Sequence, residues 1–101
     1  MANLTEEEFS KHVGTDFYVK SSEGEVKITL AEVKGYRAAS TEEKNLERFS
    51  LFFAGPADSF LSQQVFHVRH ETMGEFDIFL VPIKNDADGF RYEAVFNYFK
   101  S

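Results

Sequence analysis

The fold is decided by a hairpin pattern near the C-terminus: GEFDIFLVPI at 74–83, NDADG at 85–89 and FRYEAVFNYF at 90–99. In the last segment one strand face carries only apolar or aromatic residues, because successive side chains of a strand point to opposite sides; these are Phe90, Tyr92, Ala94, Phe96 and Tyr98. The segment 76–83 is apolar on nearly both faces, which favours a central strand. The Asp-Gly pair between them is typical of a hairpin turn.

Further elements extend this pattern toward the N-terminus. Thr5 followed by Glu8 is a capping-box pattern, which predicts a short helix there. The polar stretch 35–46 is predicted to be an exposed loop with one helical turn capped by Thr41. Apolar alternation and short apolar runs bounded by turns predict four more strands, at 17–20, 26–30, 49–53 and 65–70.

These elements predict a mainly β (α+β) fold, a small antiparallel β-barrel or rolled sheet of about six strands with an N-terminal helix. We expect the helix to plug one end or to pack on an open edge. A length of 101 residues fits a single domain over 1–101. The alternation shifts near Ala31, which indicates a β-bulge or a strand end. Pro82 suits a strand terminus or an edge.

Charge and cysteine content exclude several classes of protein. The chain has 17 acidic and 11 basic residues, a net charge of −6, which argues against binding to nucleic acids or anionic membranes. Because it contains no Cys, a disulfide scaffold and a thiolate metal site are excluded. The N-terminus lacks the basic start and apolar segment of a signal peptide, so we expect a cytoplasmic protein, with incorporation into an exported assembly left open.

The EF-hand-like stretch around Asp86 is better explained as a turn. Asp86, Asp88 and Gly89 match the middle of a calcium loop, but Lys84 and Val95 stand where the first and last ligands are required. Gly after Asp is also an ordinary hairpin signal. We therefore predict no calcium site here.

The three histidines do not form a convincing metal site either. His67 and His70 point to opposite faces of a strand, and His12 lies at a helix end. Surface or edge positions are the expectation for all three. We predict no metal and no cofactor.

Candidate catalytic groups are few. There is no Cys nucleophile and no Gly-x-Ser-x-Gly elbow. Asp77 and Glu93 would form a carboxylate pair if the fifth and sixth strands aligned them, but both are expected on solvated faces, where carboxyl groups make poor general acids. We predict no catalytic residues. A small enzyme that uses Asp77, Glu93 or the histidines stays open as one hypothesis.

Large apolar residues also lie on strand faces that look outward, and one small core does not need them. The candidate interface residues are Phe52, Phe79, Val81, Ile83 and Phe99. An exposed apolar patch of this kind is typical of a protein interface. The alternative is that the helix and the long loop bury the sheet on both sides. We expect a protein partner or self-association.

Three segments carry a resemblance to a known family: FSLFFAGP at 49–56, GEFDIFLVPI at 74–83 and YEAVFN at 92–97, together with Phe9 and Gln64. They resemble an uncharacterised family of small single-domain bacterial proteins over nearly the whole chain. The resemblance implies a protein often encoded near phage-tail-like collar or fibre proteins. The resemblance assigns neither an activity nor catalytic residues to this sequence.

The leading hypothesis is therefore a non-enzymatic protein–protein interaction module or accessory structural subunit, in a phage-tail-like or fibre assembly. The first alternative is a small-ligand-binding β-barrel. A barrel of six strands filled by Phe side chains leaves little room for a ligand, because about eight strands are needed to hold one.

Overall fold

The computed structural model describes residues 4–35 and 46–99, apart from the side chains of Leu46 and Phe99. The predicted loop at 35–46, with its turn at Thr41, falls almost wholly outside the described residues. The described chain forms one short helix and six strands: α1 (Glu6–Ser10), β1 (Asp16–Ser21), β2 (Gly24–Gly35), β3 (Leu46–Gly55), β4 (Gln64–His70), β5 (Gly74–Asp86) and β6 (Gly89–Phe99).

The strands close into an antiparallel barrel in the order β1-β2-β3-β6-β5-β4, so the predicted fold class is confirmed. β3 pairs with β6 along its whole length, and β1 closes the ring against β4 through Tyr18, Val19 and Lys20. β2 shifts register between Leu30 and Glu32, which confirms the predicted bulge.

β5 changes its pairing partner along its length, and this decides where its side chains meet their neighbours. Residues 74–80 pair with β4, whereas pairing with β6 begins at Val81. The ladder to β6 shifts register between Pro82 and Lys84. Pro82 does not lie at the terminus of β5, but the ladder to β4 ends at Leu80, so the strand is paired on one side only at this proline and the predicted edge position is confirmed.

The N-terminal helix plugs one end of the barrel. The Thr5 hydroxyl oxygen accepts the N–H of Glu8 at 3.1 Å, so the predicted N-cap is confirmed. Phe9 is fully buried, and its ring lies 5.5–6.3 Å from four other aromatic rings, those of Phe17, Phe49, Phe76 and Phe96.

The loop 56–63 covers the barrel near the opposite end of β3. Leu61 is buried, and its backbone N–H donates to the hydroxyl of the fully buried Tyr92 at 3.0 Å. At the same end, the β5–β6 hairpin turns through Asp86 and Gly89, where a carboxylate oxygen of Asp86 accepts the N–H of Asp88 at 2.9 Å. The predicted hairpin is confirmed. Among the described residues no helix is long and apolar enough to cross a membrane.

Candidate interaction surface

An outward surface of four adjacent strands carries a set of apolar side chains. On β4 and β5, Val65 stands directly opposite Phe79. On β5, β6 and β3, Val81 stands opposite Glu93, and Glu93 stands opposite Phe52. We call this surface the outer apolar face; it consists of Phe52, Val65, Phe79, Val81, Ile83 and Val95.

The exposed members of the outer apolar face are large. The exposed fractions are 60% for Val65 and 59% for Val95. They are 46% for Phe79 and 47% for Ile83. Single exposed apolar residues are ordinary, but several on neighbouring strands of one surface are not.

The structure places the five predicted interface residues as follows. Phe79 and Ile83 are exposed, and Phe52 and Val81 are half-buried on the same surface. The side chain of Phe99 lies outside the described residues. Sequence reasoning missed Val65 and Val95, which the alternation with the buried Phe66 and Ala94 would have identified.

The helix does not cover this surface. α1 packs against β2 and β3 and inserts Phe9 among inward-facing rings of the barrel. Phe9, the apolar side chain of α1, is thus turned into the barrel and away from the outer apolar face. The helix therefore does not supply the cover that the alternative assigned to it, because its single large apolar side chain, Phe9, makes its contacts at the barrel end. The long loop, which is the other part of that alternative, lies almost wholly outside the described residues.

Two charged residues on this surface, Glu93 and Lys84, have no partner among the described residues. Glu93 is half-buried between Phe52 and Val81, and no hydrogen bond or ion pair joins it to another described residue. Lys84 is exposed across from Arg91 and, within the same described part of the chain, is equally unpaired. Arg91 lies 3.7 Å from a carboxylate oxygen of Asp86.

Asp77 and Glu93 do not form the carboxylate pair that was considered. Asp77 stands opposite His67 on β4, whereas the residue of β5 opposite Glu93 is Val81. Four residues along a strand separate Asp77 from Val81, a distance of about 13 Å. The carboxylates are therefore too far apart to act on one atom, and the pairing switch along β5 is the reason.

Asp77 instead belongs to an exposed histidine–carboxylate cluster. Nδ1 of His67 lies 2.9 Å from Oδ1 of Asp77, and Nε2 of the same ring lies 2.7 Å from Oε1 of Glu75. The hydrogen bond to Glu75, followed by that to Asp77, raises the pKa of His67 above its usual value, and the contact with His67 lowers the pKa of Glu75. The two carboxylates engage opposite ring nitrogens, so they do not converge on one point. Consistent with this, no group of three or more metal-ligating side chains occurs in the described part of the chain.

His70 is an internal structural group. It is 4% exposed, so the expected surface or edge position is wrong for this histidine. Its Nδ1 accepts the backbone N–H groups of Thr72 and Met73 at 3.0 and 3.1 Å. Nδ1 must then be unprotonated, and Nε2–H donates to the Thr15 hydroxyl at 2.9 Å. Burial, reinforced by the nearby His12, lowers the pKa of His70.

The recessed spaces of the barrel lie on its outside. The interior of the described barrel is filled by large side chains, among them Phe17, Phe53 and Tyr92. A surface cleft of about 460 Å³ lies over β1 and β4. Its Arg69 stacks 4.5 Å above the ring of Tyr18 and pairs with Glu25 at 3.0 Å, so this cation is already engaged within the chain.

Fold and surface together define a small six-stranded β-barrel with a filled interior and apolar side chains left on its outer wall. The chain belongs to the family described as Domain of unknown function (DUF6916), whose model matches residues 4–96. No curated protein and no solved structure matches the chain.

Proposed function

We propose that this domain is a non-enzymatic protein-interaction module that acts as an accessory structural subunit of a larger assembly. The observation that carries the proposal is the outer apolar face, where Val65, Phe79, Ile83 and Val95 remain about half exposed or more. Burying such surface in a complex removes apolar area from water, which is the dominant favourable contribution to most protein association.

The arrangement of polar groups supports the same proposal. The described histidines and carboxylates fall into separate clusters, around His67 and around His70, and Glu93 lies apart from both. A reaction needs nucleophile, base and stabilising groups to meet around one reacting atom. The filled interior likewise favours a role for the outer wall over ligand storage in the barrel.

The finer proposal places the subunit in a phage-tail-like or fibre assembly of a bacterium. It rests on the resemblance of the segments at 49–56, 74–83 and 92–97 to a family often encoded near such proteins. An accessory subunit of this kind needs a rigid body and an adhesive surface, and a closed barrel with an apolar outer wall supplies both.

The test isolates tagged wild-type protein and two variants from native cells under conditions that preserve assemblies. Phe79→Glu places a charge in the outer apolar face, and Val13→Glu is the matched control, because Val13 is also 46% exposed but lies outside that face. Proteins that co-purify with the wild type are identified, purified and recombined with each variant in sedimentation experiments.

We expect a defined complex with the wild type and with Val13→Glu, and its loss with Phe79→Glu. Equal behaviour of the two variants, or wild-type protein that sediments as a single chain with every candidate, would contradict the proposal. Circular dichroism of each variant establishes that the fold is intact before binding is compared.

A further inference from the structure

Glu93 is a charge that lies between two apolar side chains of the outer apolar face. It is half-buried, Phe52 flanks it on one side and Val81 on the other, and none of the described residues pairs with it. A carboxylate that is partly removed from water and left unpaired is unfavourable, and a partner that brings a cation to it removes that penalty.

Lys84 supplies the opposite charge on the same surface. Val81 stands across from Glu93 and Lys84 across from Arg91, so Lys84 and Glu93 are diagonal neighbours on β5 and β6. They are not in contact with each other, and the bulge between Pro82 and Lys84 separates them. Arg91 has a carboxylate partner in Asp86, which leaves Lys84 as the cation without one in this part of the described chain.

A second copy of the chain, related to the first by a two-fold axis, gives both Glu93 and Lys84 a partner of opposite charge. In a two-fold symmetric dimer, residue i meets residue j and residue j meets residue i. If the axis passes between Glu93 and Lys84, each glutamate meets the lysine of the other copy, and Val81 and Ile83 pack near the axis. A partner with only basic groups would neutralise Glu93 but would be repelled by Lys84.

We propose that the outer apolar face is the interface of a two-fold homodimer in which Glu93 of each copy pairs with Lys84 of the other. This proposal rests on the proposed function, since it names the occupant of the same surface. The half-buried position of Glu93 makes the pair stronger than one between fully exposed charges, because neighbouring apolar groups exclude water around it.

The test is a charge-swap experiment by sedimentation velocity on the full chain, over a wide concentration range. The variants are E93K and K84E, with V13E as the matched control. Each single swap brings like charges together twice in the homodimer, so we expect dimerisation at least tenfold weaker than in the wild type. In a mixture of E93K with K84E both contacts become opposite charges again, and the heterodimer should form with near wild-type affinity.

The outcomes separate this inference from the proposed function. If the wild type dimerises and Phe79→Glu abolishes the dimer, but the mixture of E93K and K84E stays monomeric, the charge pairing is refuted while the interaction surface stands. If the wild type is monomeric and binds another protein through the same face, the homodimer is refuted. E93Q and K84Q provide a second pair should a reversed charge prevent folding; each is expected to weaken the dimer less than the corresponding reversal, and wild-type affinity in both would also refute the pairing.

Discussion

Replacing His70 by leucine removes the acceptor of two backbone hydrogen bonds in the turn between β4 and β5. The ring nitrogen Nδ1 accepts the N–H groups of Thr72 and Met73, and the second of these bonds is buried. An amide N–H left without an acceptor in a buried place is destabilising by about 1–3 kcal/mol. We therefore expect His70→Leu to lower the free energy of unfolding by about 2–4 kcal/mol.

His70→Asn is the matched control for this prediction. The carbonyl oxygen of asparagine lies close to the position of Nδ1, so it can still accept the N–H of Met73. We expect it to lose clearly less stability than His70→Leu. Urea denaturation at pH 7.5 measures both, and each kcal/mol corresponds to a change in Tm of roughly 4–8 °C for a domain of this size.

The same residue predicts an acid sensitivity. Because burial lowers the pKa of His70 in the folded state, the unfolded chain binds its proton more readily. The contribution of His70 is therefore complete above the unfolded pKa of about 6.5, and it is lost as the pH falls toward the folded value, by up to about 1.4 kcal/mol per pH unit. His67 has a raised pKa and contributes with the opposite sign, so the comparison is made in a His67→Gln background.

The reasoning on His70 has a clear refutation. If His70→Leu and His70→Asn lose the same stability at pH 7.5, the hydrogen bonds to Nδ1 do not carry the effect. If the difference in stability between pH 7 and pH 5.5 is unchanged by His70→Asn, the buried imidazole is not the group that titrates in this range.

Three further substitutions test the packing of the barrel, each by urea denaturation. Gly89→Ala should destabilise the fold more than Gly24→Ala. Both glycines have a positive φ, +133° and +111°, but only at Gly89 would the new methyl group meet backbone atoms. The backbone strain at Gly24 alone costs about 1–3 kcal/mol, and equal losses of stability in the two variants would contradict this prediction. Tyr92→Phe leaves the N–H of Leu61 without its acceptor, which should lower stability by about 1–3 kcal/mol and speed amide exchange in the loop 56–63; unchanged exchange would count against the anchoring role. Phe9→Ala removes the ring that plugs the barrel and should lower stability by about 3–5 kcal/mol, so a loss below 1 kcal/mol would show that the barrel end closes without it.

Much of the barrel is predictable from alternation in the sequence. Val26, Ile28 and Leu30 predict the inward face of β2, and the break after Leu30 predicts the bulge that the register shows. The helix start is equally local, since Thr5 carries its own capping oxygen. Strand order cannot be predicted in this way, because β3 and β6 are distant in sequence and the pattern of each strand shows only that one of its faces is buried.

The outcome for Asp77 and Glu93 differs from that for His70, because which side chains meet depends on the register between paired strands, whereas burial follows the alternation within one strand. Asp77 and Glu93 were compatible with a pair until the change of partner along β5 separated them. Burial of His70 was accessible from the sequence, because it continues the alternation of Phe66 and Val68 on the inward face of β4. Its hydrogen bonds were not, since Thr15 is distant in sequence.

The phenylalanine content links the filled interior to the proposed interface. Of 12 phenylalanines, six are buried in the described core, namely Phe9, Phe17, Phe49, Phe53, Phe66 and Phe76. Phe79 lies on the outer wall opposite Val65, and 46% of its surface remains exposed. A large apolar side chain left exposed to this extent is explained well by a complex that buries it. The substitution Phe79→Glu can therefore separate association from folding.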